Sequence, residues 1–263
     1  MKQLNAIMTI AHRDILKLLR DRARLVSSLV FPFVFVAILG PSFQSGFGAN
    51  VGYNLAIFTF TGVYAQTLFQ SAAFGLISLI EDRDNDFSQE IFVSPISRYS
   101  IIIGKILGEA LVAMTQGIGI LLFGIVIAVV SGISISPGQL LGMIPMGIIV
   151  CLFGGSFGII ILANLRSRRA AEQIFPFVIL PQFFLAGVFT PIHNLPPFIN
   201  FLSLISPMRY AVDIVRDAFY AGSPDYPHTV MAPPLLNLGV IALLFAIFLA
   251  VGTFLFIRGE RNR

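Results

Sequence analysis

The sequence contains no tryptophan, a single cysteine and only three histidines among its 263 residues. Cys151 stands inside an apolar run and cannot form a disulfide within the chain, so we expect it to be a packing residue. No H-E-x-x-H motif or cysteine cluster offers the ligand spacing of a zinc site. The sequence also lacks the G-x-x-x-x-G-K-[ST] loop that binds nucleotide phosphates and the G-x-S-x-G elbow of serine hydrolases. We therefore predict no metal centre, no ATP site of that type and no enzymatic activity in this chain.

Charged residues are also scarce, at 11% of the chain, whereas 56% of the residues are hydrophobic and the mean hydropathy is +0.88. Water-soluble domains carry about 25% charged residues, so this composition indicates that lipid or protein surrounds most side chains. The net charge of +4 would suit a nucleic-acid partner, but the basic residues flank apolar stretches, where anionic lipid is the nearer counter-charge. We predict an integral membrane protein that does not bind nucleic acid.

The basic residues are unevenly distributed along the chain. Fifteen of the 17 Lys and Arg residues fall into four patches, which are 1–24, 81–105, 163–172 and 258–263. Basic residues accumulate in the cytosolic loops of membrane proteins. This distribution predicts an even number of membrane crossings with both termini in the cytosol.

Six apolar stretches approach the roughly 20 residues that a helix needs to cross the hydrocarbon core. The fifth is short and contains Pro176 and Pro181, so we expect it to kink. The sequence thus predicts an all-α membrane protein forming one domain over 1–263. The predicted spans are 25–43, 53–80, 101–130, 140–163, 174–188 and 235–257.

The first 24 residues show helical spacing of apolar side chains, which predicts a helix lying in the inner membrane interface. Spans three and four hold a single acidic residue, Glu109, four positions after Lys105. This spacing predicts a local ion pair near the cytosolic boundary that can reach water. With so few charges at membrane depth, a proton- or sodium-driven carrier is disfavoured, and any energy source must lie outside this chain.

Segment 190–234 holds eight of the 15 prolines and is the main irregular region on the side away from the basic patches. Within it, 208–220 has helical periodicity, with Arg209, Asp213 and Asp217 spaced for i, i+4 contacts. We predict two short helices that dip back towards the membrane.

The loop that follows the second span carries EDRDNDFSQEIFVSPISRYSIIIGK from residue 81. It resembles the cytosolic loop of ABC exporter permeases of the type-2 family, most closely over 93–105. Phe87, Ile91 and Phe92 give a short helix an apolar edge that could seat in a groove of a partner protein. The resemblance implies an ATPase-coupling helix within 81–100. The residues it assigns to coupling are Asp84, Asp86, Phe87, Glu90, Ile91, Phe92, Pro95 and Arg98.

A second resemblance to the same family lies around the last two spans. It consists of AGVFTP from residue 186, LPP from 195 and SPMRY from 206, followed by Asp213 and Arg216. Prolines that remove helix donors fit a chain that reverses direction here. The resemblance implies a re-entrant outer gate. Its residues would be Phe189, Pro191, Pro196, Pro197, Pro207, Arg209 and Asp213.

The family resemblance implies a half-transporter in a bacterial-type cytoplasmic (inner) membrane. A second copy or a close paralogue would complete the pathway, and two separate ABC subunits would bind ATP and Mg, because this chain has no nucleotide-binding domain and no cofactor of its own. Three alternatives stay open: a lipid-linked polysaccharide exporter, a passive channel and a membrane-anchoring subunit. An intramembrane enzyme would need paired catalytic groups at membrane depth, which the sequence does not offer.

Polar residues within the spans are candidates for the pathway lining. They would suit an amphiphilic drug or lipid better than a strongly charged substrate. The alternative is that they form hydrogen bonds between helices, since an amide in lipid needs a partner. The candidates are Thr59, Tyr64, Gln66, Gln70, Gln116 and Gln182.

Overall fold

The computed structural model describes residues 2–48, 51–80, 97–130, 135–165, 167–189 and 196–261. All regular structure within these residues is helical. The predicted coupling helix falls in 81–96, outside the described residues, so of the eight coupling candidates only Arg98 is described. Pro191 of the predicted outer gate also lies outside them.

The first half of the bundle begins with two helices separated by a break at Asp21, whose backbone is not helical and whose side chain accepts a hydrogen bond from the N–H of Arg24. Asn54 caps the fourth helix in the same way, through the N–H groups of Ala56 and Ile57. Asp and Asn are favoured at this position because they satisfy the unpaired donors of the first turn. The helices are α1 (Lys2–Arg20), α2 (Arg22–Val34), α3 (Gly40–Phe47), which follows a π-helical turn at Phe35–Leu39, and α4 (Leu55–Gly75).

The second half contains three long apolar helices and several shorter ones. Ser136 and Gln139 form a reciprocal capping box at the start of the sixth helix, and Ser167 caps the seventh. The helices are α5 (Arg98–Val130), α6 (Pro137–Leu162), α7 (Arg168–Leu185), α8 (Pro197–Ile205), α9 (Pro207–Tyr220), α10 (Tyr226–Thr229) and α11 (Pro234–Arg261).

Five helical segments of the described chain have the length and apolar composition of a membrane span, and the bent pair α8–α9 gives a sixth candidate. The prediction of six spans is met only with that pair. The predicted fifth span coincides with α7, which is 18 residues long and does not qualify. The reason is that Arg168, Arg169 and Glu172 occupy its first turns. The other segments are Arg22–Phe47, Leu55–Ile80, Arg98–Val130, Pro137–Leu162 and Tyr226–Gly259.

Helix α4 forms the centre of the bundle, packed against α5, α6 and α9. Its contact with α6 is close because α6 presents glycine. A Cβ at Gly158 would stand 2.6 Å from the carbonyl oxygen of Ala73, and one at Gly154 would overlap the carbonyl of Phe69. Small residues at a helix interface allow the two backbones to approach. The α4–α6 pair is therefore closely packed.

Helix α1 lies along α5 and confirms the predicted amphipathic helix over the first residues. Its buried face contains Ala11 and Leu18, as the apolar spacing predicts, but also the carboxylate of Asp14. Glycines on α5 receive it: a Cβ at Gly108 would stand 3.1 Å from the Cα of Ala11. The bundle end at which α1 lies is called the α1 end below.

The predicted helices of the proline-rich segment are confirmed. Helices α8 and α9 are separated by Ser206 and meet at 88°. Helix α9 covers the prediction for 208–220 and packs against α4, α6 and α11. The end of the bundle that holds it is called the α9 end.

Candidate functional site

A cleft of about 450 Å³ opens between α2, α4, α5 and α7. Its lining falls on one side of each helix, with positions 24, 27, 28, 31 and 32 on α2 and 67, 70, 71, 74 and 75 on α4, because side chains three and four residues apart share a helix face. The lining residues are Arg24, Ser27, Ser28, Phe31, Pro32, Thr67, Gln70, Ser71, Phe74, Gly75, Gln116, Pro176, Ile179, Leu180 and Phe183.

The two walls of this cleft differ in chemistry. Uncharged polar groups come from α4 and α5, whereas α7 contributes Pro176, Ile179, Leu180 and Phe183. The side chain of Gln70 also accepts a hydrogen bond from Gln66, Nε2 to Oε1 3.0 Å. A mostly apolar cavity with a few convergent polar groups is the usual form of a small-molecule site.

Of the six predicted pathway residues, the cleft brings together Gln70 and Gln116. The others lie elsewhere in the bundle. Tyr64 donates its hydroxyl to the carbonyl of Met143 on α6 at 3.3 Å, and Thr59 is fully buried. Gln182 accepts a hydrogen bond from the N–H of Met208, 3.4 Å away, which links α7 to α9.

The contribution of α2 to the cleft was missed at the level of the sequence. Arg24, Ser27, Ser28 and Phe31 follow the i, i+3, i+4, i+7 spacing of one helix face. This spacing is a signal in the sequence, but length and apolar composition, which define the first predicted span, do not show it.

A buried ion cluster joins three helical segments at the α1 end. Lys105 Nζ lies 2.9 Å from Asp14 Oδ2 and 3.5 Å from Glu109 Oε1. Ser78, just beyond α4, donates to Glu109 Oε1 at 3.0 Å. The predicted Lys105–Glu109 contact is present, but Lys105 is only 2% exposed and Glu109 3%. The pair does not reach water as predicted, because α1 covers it and supplies a second carboxylate.

The first residue contacts after 81–96 also involve α1. Gln3 Oε1 accepts hydrogen bonds from the N–H of Ser97 at 3.1 Å and from the hydroxyl of Ser100 at 2.8 Å. Arg98 begins α5 between them. The residues at the start of α5, directly after 81–96, are thus hydrogen-bonded to α1.

At the α9 end, Arg216 is the largest fully buried side chain. Its Nη2 faces three carbonyl oxygens, those of Gly187 at 2.8 Å, Val188 at 3.2 Å and Phe58 at 3.3 Å. Its guanidinium carbon lies 3.4 Å from the ring centroid of Phe58. Burial raises the pKa of nearby Tyr53 to about 12, and the positive charge of Arg216 opposes that rise. Arg216 therefore ties α9 to α4 and to the turn after α7.

The predicted i, i+4 contacts along α9 are replaced by contacts to other segments. Asp213 accepts hydrogen bonds from the N–H of Met231 at 2.8 Å, the N–H of Ala232 at 2.9 Å and the amide of Asn237 at 2.7 Å. Arg209 instead donates to Ser203 of α8 at 2.6 Å. The reason is that α9 is enclosed, so its charged groups find partners on the segments that cover it.

The described outer-gate candidates do not form one cluster. Pro196 is the N-cap residue of α8, and Pro197 and Pro207 are the first residues of α8 and α9, a position that suits proline because its missing N–H would be unpaired there. The ring of Phe189 packs on that of Phe35, with centroids 5.4 Å apart. The described candidates thus lie on α8, on α9 and in the turn after α7.

Within the described residues, no group of three or more His, Cys, Asp and Glu side chains could hold a metal ion. What the described chain does offer is a set of span-length apolar helices around a partly polar cleft. These features define a multi-pass integral membrane protein. A family model described as the ABC-2 type transporter matches residues 5–220. The chain belongs to the ABC-2 type transporter family and is a transporter permease.

Similar proteins bear related names. A putative transport permease, ycf38 from Cyanophora paradoxa, is 24% identical over 256 residues, which cover 95% of this chain and 87% of that protein. The ycf38 protein of Pyropia yezoensis is 22% identical over 223 residues, covering 82% of this chain and 73% of that protein. A probable multidrug ABC transporter permease, YbhR from Escherichia coli K12, is 25% identical over 144 residues, covering 54% of this chain and 38% of that protein.

Proposed function

We propose that this chain is the membrane-spanning half of an ATP-driven exporter for amphiphilic, drug-like or lipid-like molecules. A second copy or a close paralogue completes the pathway. Two separate ABC subunits supply ATP and Mg chemistry. The termini and the loop 81–100 face the cytosol in this scheme, and the chain lies in a cytoplasmic membrane.

The observation that carries this proposal is the cleft between α2, α4, α5 and α7. Its polar wall holds uncharged groups such as Gln70 and Gln116, and its opposite wall is aromatic and aliphatic. Such a surface can bind the apolar body of an amphiphile while hydrogen-bonding its polar atoms. The name of the YbhR relative, a multidrug permease, supports the same class of substrate.

A second copy is supported by the outer face of α7. Phe177 is 82% exposed and Phe184 63%, and Leu180, between them, is 58% exposed. These side chains follow helical spacing beside the cleft, and an exposed apolar face of this kind suits a protein partner or lipid. A second copy packed here would close the cleft from the bilayer.

Coupling to an ATPase is supported by the contacts at both ends of 81–96. On one side Ser78 bonds to Glu109, and on the other Ser97 and Ser100 bond to Gln3 of α1. A push on the intervening segment would therefore act on α1 and α5 together. Movement of a packed, rigid element is a known means of switching between two states.

The test of the pathway is ATP-dependent transport into inside-out vesicles that contain the chain and its ATPase subunits, which corresponds to export from the cell. The substrate is a fluorescent short-chain phospholipid, and the variants are Gln70→Leu and Gln116→Leu. We expect each to lower ATP-dependent export severalfold at equal expression. Gln173→Leu is the matched control, since Gln173 is exposed on α7 and does not line the cleft. Unchanged export in both cleft variants would contradict the proposed pathway.

A further inference from the structure

The cleft carries one charge, and it lies at one end. Among the lining residues only Arg24 is ionisable, and it stands in the first turn of α2, close behind the end of α1. Position 32 at the other end of the α2 lining is eight residues further, which corresponds to about 12 Å of helix. Going away from Arg24 along this face, the lining passes through Ser27 and Ser28 to Phe31 and Pro32.

The side chain of Arg24 is exposed, and within the described part of the chain its guanidinium forms no ion pair. At the same end of the bundle, the carboxylate of Glu109 is already engaged by Lys105 at 3.5 Å and by Ser78 at 3.0 Å. A guanidinium in this position has donors left for an anion, and its planar fork matches phosphate and carboxylate geometry.

The position of Arg24 favours a negative ligand. Lys105 and Arg13 already lie beside the carboxylates of the buried cluster, Asp14 and Glu109, whereas Arg24 lines the cleft. At the low dielectric of a membrane interface, an exposed guanidinium attracts an anion more strongly than it would in water.

The apolar end of the cleft accepts a chain. Beyond the serines, the walls are Phe31 and Pro32 on one side and Leu180 and Phe183 on the other. Amphipathic α1 places the Arg24 end at the membrane interface, and the aromatic end points towards the bilayer interior, as the head and tail of a lipid do. Along the α2 wall, the cleft therefore runs from a charged end to an apolar end.

We propose that this cleft binds an amphiphile with a negatively charged headgroup, and that Arg24 binds the headgroup while the Phe31 and Phe183 end receives the acyl chain. The ligand enters sideways from the leaflet in which α1 lies. This inference rests on the proposed function and narrows its substrate class, from amphiphiles in general to anionic lipid-like ones. It assigns a binding role to Arg24, which the composition and residue spacing of the sequence do not indicate.

The absence of tryptophan makes the test direct. Phe183→Trp places a single fluorophore in the cleft, at a side chain that is only 7% exposed. Phe254→Trp places one on α11, at a side chain that is 59% exposed and samples bulk lipid. The purified chain is placed in phosphatidylcholine nanodiscs, and a minor fraction of lipid with brominated chains is added as quencher. The quencher is either phosphatidylglycerol, which is anionic, or phosphatidylcholine.

We expect brominated phosphatidylglycerol to quench the Phe183→Trp reporter about fivefold more effectively than brominated phosphatidylcholine, the preference that one cation near an anionic headgroup provides. The Phe254→Trp reporter should show no such preference. Adding Arg24→Gln should abolish the preference, whereas Arg24→Lys should keep most of it. Arg22→Gln is the control for surface charge, since Arg22 is exposed and does not line the cleft.

Equal quenching by the two lipids at Phe183→Trp would overturn the inference, as would a preference that survives Arg24→Gln. Displacement by millimolar glycerol phosphate would also overturn it, because the ligand would then be a small anion. Binding in this assay needs no ATPase. The proposed export function can therefore fail while lipid binding holds, and export through Gln70 and Gln116 can hold while the headgroup preference is absent.

Discussion

Lys105 and Asp14 form an ion pair in which both side chains are 3% exposed, although the two residues are 91 positions apart in sequence. The pair joins the amphipathic α1 to the longest helix of the bundle. Glu109 and Ser78 extend it to the end of α4. Three segments that approach the proposed coupling loop are thus fixed by one cation.

Removing that cation should be costly. In Lys105→Met, the buried Glu109 loses its ion-pair partner and Asp14 keeps only Arg13, and breaking a buried pair costs about 3–5 kcal/mol. We expect a large loss of thermal stability, measured by size-exclusion chromatography of heated fluorescent-protein fusions. The triple variant Asp14→Leu, Lys105→Met, Glu109→Leu should recover most of it, because apolar residues of similar volume often replace buried charges without loss. A triple variant less stable than Lys105→Met would show that the charges themselves hold α1.

Glycine on α6 should be sensitive to the smallest enlargement. In Gly158→Ala the new methyl would stand 2.6 Å from the carbonyl oxygen of Ala73, so α4 and α6 must separate. Overpacking of this kind costs about 1–3 kcal/mol. Gly239→Ala on α11 is the matched control, since no atom lies within 4 Å of its added methyl. We expect it to be neutral or slightly stabilising in the same heating assay. Equal effects at the two positions would refute the close α4–α6 contact.

Arg216 should not tolerate lysine. One Nη2 serves the carbonyls of Phe58, Gly187 and Val188 while the guanidinium plane lies on the Phe58 ring, and an ammonium cannot do both. Each buried carbonyl left unpaired costs about 1–3 kcal/mol. Arg216→Lys should therefore lower the melting temperature clearly. Arg209→Lys should change it little, because an ammonium can still donate to Ser203 and Asn200. The reverse order would mean that Arg216 is not the anchor of α9.

The coupling segment is tested by a charge on its apolar edge. We expect Phe92→Asp to leave the chain in the membrane but to abolish co-purification with the ABC subunits and the stimulation of their ATPase activity, since a carboxylate cannot enter an apolar groove without loss. Gln89→Asp, which introduces the same charge at a polar position of the segment, is the control and should retain both. Intact association in Phe92→Asp would place the docking surface elsewhere.

The helices of this fold follow closely from the sequence, because length and apolar composition alone identify a spanning helix. The starts of α2, α4, α6 and α7 coincide with capping residues, which are local signals. Helix α7, the predicted fifth span, is not among the span candidates by length and composition, since Arg168, Arg169 and Glu172 occupy its first turns. Both errors of contact, at Lys105 and along α9, concerned charged side chains.

The contacts of these charged side chains could not be predicted from the sequence, for a physical reason. The i, i+4 rule finds partners on the same helix, and it correctly paired Lys105 with Glu109. It cannot find Asp14, which is brought in by helix packing, nor the N–H groups of Met231 and Ala232 that bind Asp213. The sequence predicts part of the cleft lining, because Gln70 and Gln116 are amides within apolar spans. The sequence did not indicate Arg24 as a cleft residue, since a basic residue before a span usually marks only the membrane interface.

The close fit of α4 to α6 has a consequence for how the chain enters the bilayer. Helix α4 is the least apolar of the five span candidates, and it is enclosed in the finished bundle. The hydroxyl of Tyr64 reaches its acceptor only at Met143, 79 positions later in the chain. We therefore expect α4 to enter the lipid less readily than the other span candidates before α6 has been synthesised. The finished position of α4 depends on a helix that follows it by two spans in the chain.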